Sequence, residues 1–179
     1  MAEVKSVTFA YVEDEDRLRL DMSDGVNART LLLTRRIMRR LLHAFANALV
    51  SSSRSVSRAP AEARREVFVL EHLSSLAADV GAPATEPGPS SPAQAAPAHL
   101  GQELVTRVDA RVEPQTFRLS FHGVSGHLAM LELTRRDFHR FLSALDRAAQ
   151  AAEWDIHQDA GWLNGAESIA ASTSGRQAS

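Results

Sequence analysis

Two hexapeptides decide the fold: Leu31-Leu32-Leu33-Thr34-Arg35-Arg36 and, 100 residues further on, Leu131-Glu132-Leu133-Thr134-Arg135-Arg136. Self-similarity of this kind is the first thing to look for, because a repeated segment sets the architecture before any single element does. The match continues downstream, where Leu41-Leu42 meets Phe141-Leu142 and Phe45 meets Leu145. Upstream it continues with one residue of slip, Leu18, Leu20 and Met22 meeting Phe117, Leu119 and Phe121. Gene duplication explains two such stretches, and it predicts two halves of one shape.

In the first half, Val7 to Val12 is rich in β-formers, and Arg17-Leu18-Arg19-Leu20-Asp21-Met22 alternates polar and apolar as a half-buried strand does. Asp24-Gly25 marks a tight turn into a third strand over roughly 28–33. At Thr34 the period changes to that of a helix over about 35–50, with Ile37, Leu41, Leu42, Phe45 and Leu49 as its stripe and the Thr34 hydroxyl as its N-cap. The second half repeats the plan: strands over 104–112, 116–121 and 127–133, then a helix over 135–153 begun by Thr134 with Asp137 three residues on.

Between the halves, Val67, Leu70, Leu73, Leu76, Ala77 and Val80 predict an amphipathic helix over about 60–80, preceded by a loop from 51. Residues 82–103 read as a flexible Pro/Ala/Ser-rich linker, and 155–179 as a mostly disordered tail. Each half is too small to be stable alone. The fold class is therefore α+β, with internally duplicated β-β-β-α repeats packed as a pseudo-two-fold unit and the extra helix covering remaining apolar surface. Strand alternation with Leu31, Leu33, Leu131 and Leu133 facing inward sends Leu32, Leu128 and Met130 to the outer faces.

Composition bounds the chemistry. The chain of 179 residues has no cysteine, which removes disulfides, thiolate metal sites and cysteine nucleophiles. A formal net charge of -2 lacks the basic excess of an electrostatically driven nucleic-acid binder. Lys5 is the single lysine among 20 basic residues, so the positive charge is arginine. No long apolar run and no leader-like segment is present at the start as given, and a cytoplasmic location is expected.

The sequence contains no Walker A loop, no Gly-x-Gly-x-x-Gly turn and no Gly-x-Ser-x-Gly elbow, and it predicts neither cofactor nor metal. His122 and His127 flank one turn, too few for a metal site, and with His139 they are the only acid–base candidates that an enzyme reading has to offer. A stronger signal is the arginine at both helix starts. Arg35, Arg36, Arg39 and Arg40, echoed by Arg135, Arg136 and Arg140, put positive charge where the helix dipole is also positive. Something acidic must compensate, either the nearby Glu13-Asp14-Glu15-Asp16 or a partner. In the tail, Trp154 and Trp162-Leu163 want burial, against the core or in a partner's pocket.

The expected function is therefore that of a non-catalytic protein-binding or assembly module, joined to another protein or to itself through the arginine-rich helix starts and outward Leu32, Met130, Trp162 and Leu163. The doubled order of sheet and helix also resembles the Whirly and Pur-type architectures, with three strands per copy here against four in those families. That resemblance implies a second expectation, single-stranded nucleic-acid binding along an open sheet. On the outer strand positions, however, Arg17, Arg19 and Arg118 are interrupted by Asp21, Asp109 and Glu113, without the stacking aromatics such a sheet uses.

Overall fold

The computed structural model describes residues 4, 6–77, 98–113 and 116–156. Strands β1 (Ser6–Val12), β2 (Arg17–Ser23) and β3 (Asn27–Thr34) form an antiparallel meander that leads into helix α1 (Arg35–Ser52). A short helix α2 (Arg54–Arg58) and helix α3 (Arg64–Ala77) follow. The chain then enters β4 (Ala98–Leu104), β5 (Arg107–Val112), β6 (Thr116–Gly123) and β7 (Gly126–Thr134), and ends its regular structure in helix α4 (Arg135–Ala151). The molecule is α+β, and β1-β2-β3-α1 and β5-β6-β7-α4 share one element order.

The strands make a four-stranded sheet, β1-β2-β3-β4, and a three-stranded sheet, β5-β6-β7. Residues 98–112 connect them. Their first part pairs in parallel with β3, Leu104 opposite Leu32, and their second part pairs antiparallel with β6. The handover occurs at two successive amides: Val105 N–H donates to Leu32 O at 2.9 Å and Thr106 N–H to His122 O at 2.9 Å. Because neighbouring amides of an extended chain point to opposite sides, one strand bridges both sheets. Gly123 has no room for a side chain here, since a Cβ would stand 3.0 Å from Leu104 O.

The proposed linker 82–103 is therefore corrected at its C-terminal end. Residues 98–104 form a strand because β3 offers an open edge of N–H and C=O groups, a demand that outweighs the local composition. The single strand expected over 104–112 is two paired segments with a joint at Val105 and Thr106.

One core joins both halves. Leu18, Leu20 and Met22 of β2, Leu31 and Leu33 of β3, and Phe117, Leu119 and Phe121 of β6 turn inward at alternate positions. They meet Met38, Leu42 and Phe45 of α1 and Phe138, Phe141 and Leu145 of α4. Helix α1 lies on β3 and β5, and α4 lies on β7, β6 and β1, so each helix reaches into the opposite half. Ring contacts mark the seam: Phe45 stands 5.1 Å from Phe138 and Phe9 stands 5.5 Å from Phe141, between centroids.

Two inside–outside expectations change. Leu32 is buried at 4 % exposure and presents no apolar surface, because β3 is an interior strand with Arg19 and Leu104 beside it in register. Leu128 is buried with Leu131, while Met130 is half-buried, because the register slips between Phe121 and His122 and breaks the alternation of β7.

The helix expected over 60–80 is also altered. A 3₁₀ turn, Ala61–Ala63, precedes α3, α2 occupies part of the expected loop, and residues 78–80 lie outside the described residues. Its buried positions are Phe68, Val69 and His72, whereas Leu70 is 61 % exposed. Rotation of the stripe follows from the surface it meets, which is α4 and α2 and not the outer side of a sheet.

After α4 the chain folds back to cover the core. Trp154 is fully buried, and its indole N–H donates to Asp16 Oδ1 at 2.7 Å, an atom that also accepts from the Tyr11 hydroxyl at 3.0 Å. These donors hold the Asp16 carboxyl below its ordinary range, the indole contributing most, and the hydrogen bond to Asp16 raises the Tyr11 phenol. The core reading of Trp154 is what the structure has; Trp162 and Leu163 lie outside the described residues.

Removing the indole tests this closure. Trp154→Ala is expected to lose about 3–5 kcal/mol of folding free energy, as large-to-small changes of buried aromatic residues do, measured by urea unfolding followed by circular dichroism. A loss within the error of Ser179→Ala would show that the segment after α4 contributes nothing to the core.

Candidate partner-binding surface

Both helices that follow a sheet begin alike. The Thr34 hydroxyl accepts from Ile37 N–H at 3.3 Å, and the Thr134 hydroxyl accepts from Asp137 N–H at 3.2 Å, so each threonine caps its first turn. Their arginines then diverge.

Arg135 turns inward as a clamp among three helices. Its Nε donates to Glu71 Oε1 of α3, its Nη1 to the Ser52 hydroxyl at 2.8 Å and its Nη2 to Leu49 O at 2.8 Å. The last two acceptors belong to the C-terminal turn of α1, where carbonyls lack intrahelical partners. Glu71 Oε2 accepts from the Ser53 hydroxyl at 2.6 Å, so the carboxylate is held on both oxygens. Burial pushes Glu71 up, but the hydrogen bonds from Arg135 and Ser53 outweigh it and keep the carboxyl below its usual range.

Beside this pair, His72 Nδ1 and His139 Nδ1 are 3.0 Å apart, one donating to the other, and His139 Nε2 lies 3.5 Å from Glu71 Oε1. Both rings are buried, so both are held neutral: burial lowers His72 to about 4, with His139 adding to the shift. Burial also lowers His139, against a partly opposing pull from the Glu71 carboxylate. Sequence reasoning named Arg135 and His139 but missed their partner, because Glu71 sits 64 residues from Arg135 on a helix whose orientation no local pattern fixes.

Arg135 is thereby corrected from a partner-binding candidate to a structural tie. Arg140 is half-buried, with Nη1 3.5 Å from Asp137 Oδ1, and Arg136 is exposed. Helix α1 keeps its arginines outside. Arg35, Arg36, Arg39 and Arg40 are all exposed, and the first turn of α1 holds no acidic residue. From the acidic hairpin Asp16 reaches Arg35, 3.7 Å from its Nη2, while the Arg35 guanidinium lies 5.5 Å from the Trp154 ring centroid. Arg35, Arg36 and Arg39 line one wall of a groove of about 480 Å³ whose other wall is Asp155 and Ile156.

The remaining candidates separate from this surface. His122 and His127 meet edge to face across their hairpin, 5.4 Å between centroids, and His122 Nε2 is 3.0 Å from Asp109 Oδ2. Among the described residues no group of three or more His, Cys, Asp or Glu side chains is placed to hold a metal ion. The outer strand arginines are engaged: Arg17 with Glu15, Arg19 with Asp21, and Arg118 with both Glu113 and Glu132. No helix among the described residues is long and apolar enough to cross a membrane. No protein family, curated protein or solved structure matches the chain significantly.

Two outcomes are expected of the clamp. Arg135→Ala leaves Glu71 without its guanidinium and is expected to cost about 1–3 kcal/mol, below the usual figure for a fully buried pair because the site is partly open to water; equilibrium unfolding measures it. The second concerns pH. A neutral buried histidine stabilises the fold fully above its unfolded pKa of about 6.5, and that contribution falls as pH drops toward the folded value of about 4. Stability is therefore expected to decline between these limits, and His72→Phe is expected to flatten the decline; an unchanged slope would show that the pair does not couple to folding.

Proposed function

We propose that this protein is a non-catalytic binding or assembly module that captures an acidic protein segment along the start of α1. The observation that carries this is the difference between two similarly capped helices. At α4 the first arginine is satisfied internally by Glu71, Ser52 and Leu49. At α1 four exposed arginines stand on two successive turns, three of them lining a groove with Asp155 and Ile156. A helix that begins with cations and no acid opposes its own dipole, and carboxylates brought by a partner relieve that conflict.

Arg36 and Arg40, four residues apart, share one face of the helix and point one way. Surface arginines of this kind raise association rates and set orientation more than they add affinity. The module has no catalytic step in this reading and works in the cytoplasm, as read from the sequence. Single-stranded nucleic acid is the less favoured partner, because Arg17, Arg19 and Arg118 are already bridged to carboxylates.

Fluorescence anisotropy with a labelled oligoglutamate peptide tests the surface directly. Binding is expected to weaken with salt and to fall about tenfold or more in Arg36→Glu/Arg40→Glu, as reversal of two interface charges predicts, while Arg136→Glu leaves it unchanged. Equal binding by all three proteins would remove α1 from the interface. An oligonucleotide of equal charge that bound more tightly than the peptide would replace this reading with the nucleic-acid one.

A further inference from the structure

A second feature lies away from α1. A cavity of about 210 Å³ opens where the β2–β3 turn, the start of β4 and the start of β7 meet. Met22, Leu100, Leu128 and Met130 supply apolar walls, and Arg29 lines it with them. Arg29 stands opposite Met22 in register and, by alternation, on the same side of β3 as the fully buried Leu31 and Leu33. It is thus a half-buried guanidinium on the core side of a strand. Among the described residues it has no hydrogen bond and no ion pair, whereas Arg17, Arg19, Arg118 and Arg135 each hold a carboxylate. At the equivalent place in the second half stands Ala129, which lines the same cavity.

A guanidinium that stands beside apolar walls and has no carboxylate of its own is matched by a ligand carboxylate, which it meets with two parallel hydrogen bonds. We propose that this cavity binds a small monocarboxylic acid, its carboxylate on Arg29 and its hydrocarbon tail among Met22, Leu100, Leu128 and Met130. The volume is below the roughly 300–1,000 Å³ of pockets that enclose drug-sized ligands, which favours a short tail. Charge on the rim selects against more anionic ligands. Asp24 lines the cavity and is ionised, its Oδ1 accepting from Val26 N–H at 2.8 Å and Asn27 N–H at 2.7 Å. These backbone bonds hold its carboxyl below the ordinary range. A monoanion anchors one oxygen pair on Arg29 and turns only hydrocarbon elsewhere, whereas a dicarboxylate or phosphate brings further charge toward Asp24.

The assignment does not depend on the acidic-segment surface of α1, and it is tested on the full chain by isothermal titration calorimetry with octanoate, octanol and suberate. Octanoate is expected to bind, octanol and suberate to bind more weakly, and Arg29→Gln to lose octanoate affinity about tenfold or more, the value of a hydrogen bond to a charged group. Arg29→Lys is expected to recover part of it. Met130→Trp, which fills the cavity and leaves the charge, is expected to abolish binding in a protein whose thermal midpoint confirms that it is folded. No heat with octanoate at millimolar concentration, equal affinity for octanol, or equal affinity in Arg29→Gln overturns the proposal. Binding of a leucine-terminated peptide in place of octanoate also overturns it, making the cavity a receptor for chain termini.

Discussion

The structure depends on one strand that changes partners. Residues 98–112 are bound to β3 over their first part and to β6 over their second, with Val105 and Thr106 donating in succession to Leu32 and His122. Two small sheets, each too narrow to bury its apolar face independently, are thereby fixed at a single relative position. That position lets α1 rest on β5 and α4 rest on β1, so each helix closes the half to which it does not belong. The same core is shared by Leu31 of β3, Phe117 of β6 and Phe138 of α4, so the strand and the apolar seam hold the two sheets together.

Polar ties reinforce the same closure at opposite ends of the core. Arg135 connects the first turn of α4 to the last turn of α1 and to α3 through groups that a helix terminus leaves unpaired. Asp16, in the left-handed region at φ 47°, collects the Trp154 indole, the Tyr11 hydroxyl and the Arg35 charge on one carboxylate. Aspartate tolerates this backbone conformation better than most residues. Both ties join segments far apart in sequence, and both rely on a carboxylate that gains more from its donors than it loses by leaving water.

Local pattern made much of the architecture legible. Period-two alternation in Arg17–Met22, the change of period at Thr34, and the hundred-residue echo at Thr134 specified six strands and the two long helices, because each signal is written within a few residues. What stayed hidden is non-local. Strand β4 exists because β3 has an open edge, and nothing in Ala98-His99-Leu100-Gly101 announces that edge. The buried face of α3 is set by Phe68 and His72 meeting His139, so Leu70, part of the apparent apolar stripe, faces solvent. Among site residues, exposure of Arg36 and Arg40 followed from helical spacing, whereas the fate of Arg135 required Glu71, on a helix with no local mark of its partner.

The two halves resolve one electrostatic problem differently. A threonine cap followed by two arginines places cations at the positive end of a helix dipole in both. In the second half the intervening α3 brings Glu71 against Arg135, and Asp137 adds an acid to the first turn of α4. In the first half no described helix lies across the equivalent position, and the tie from Asp16 reaches Arg35, at an exposed distance where solvent weakens it. The acids Glu71 and Asp16 thus serve the closure of the core, while the arginines at the start of α1 stay at the surface.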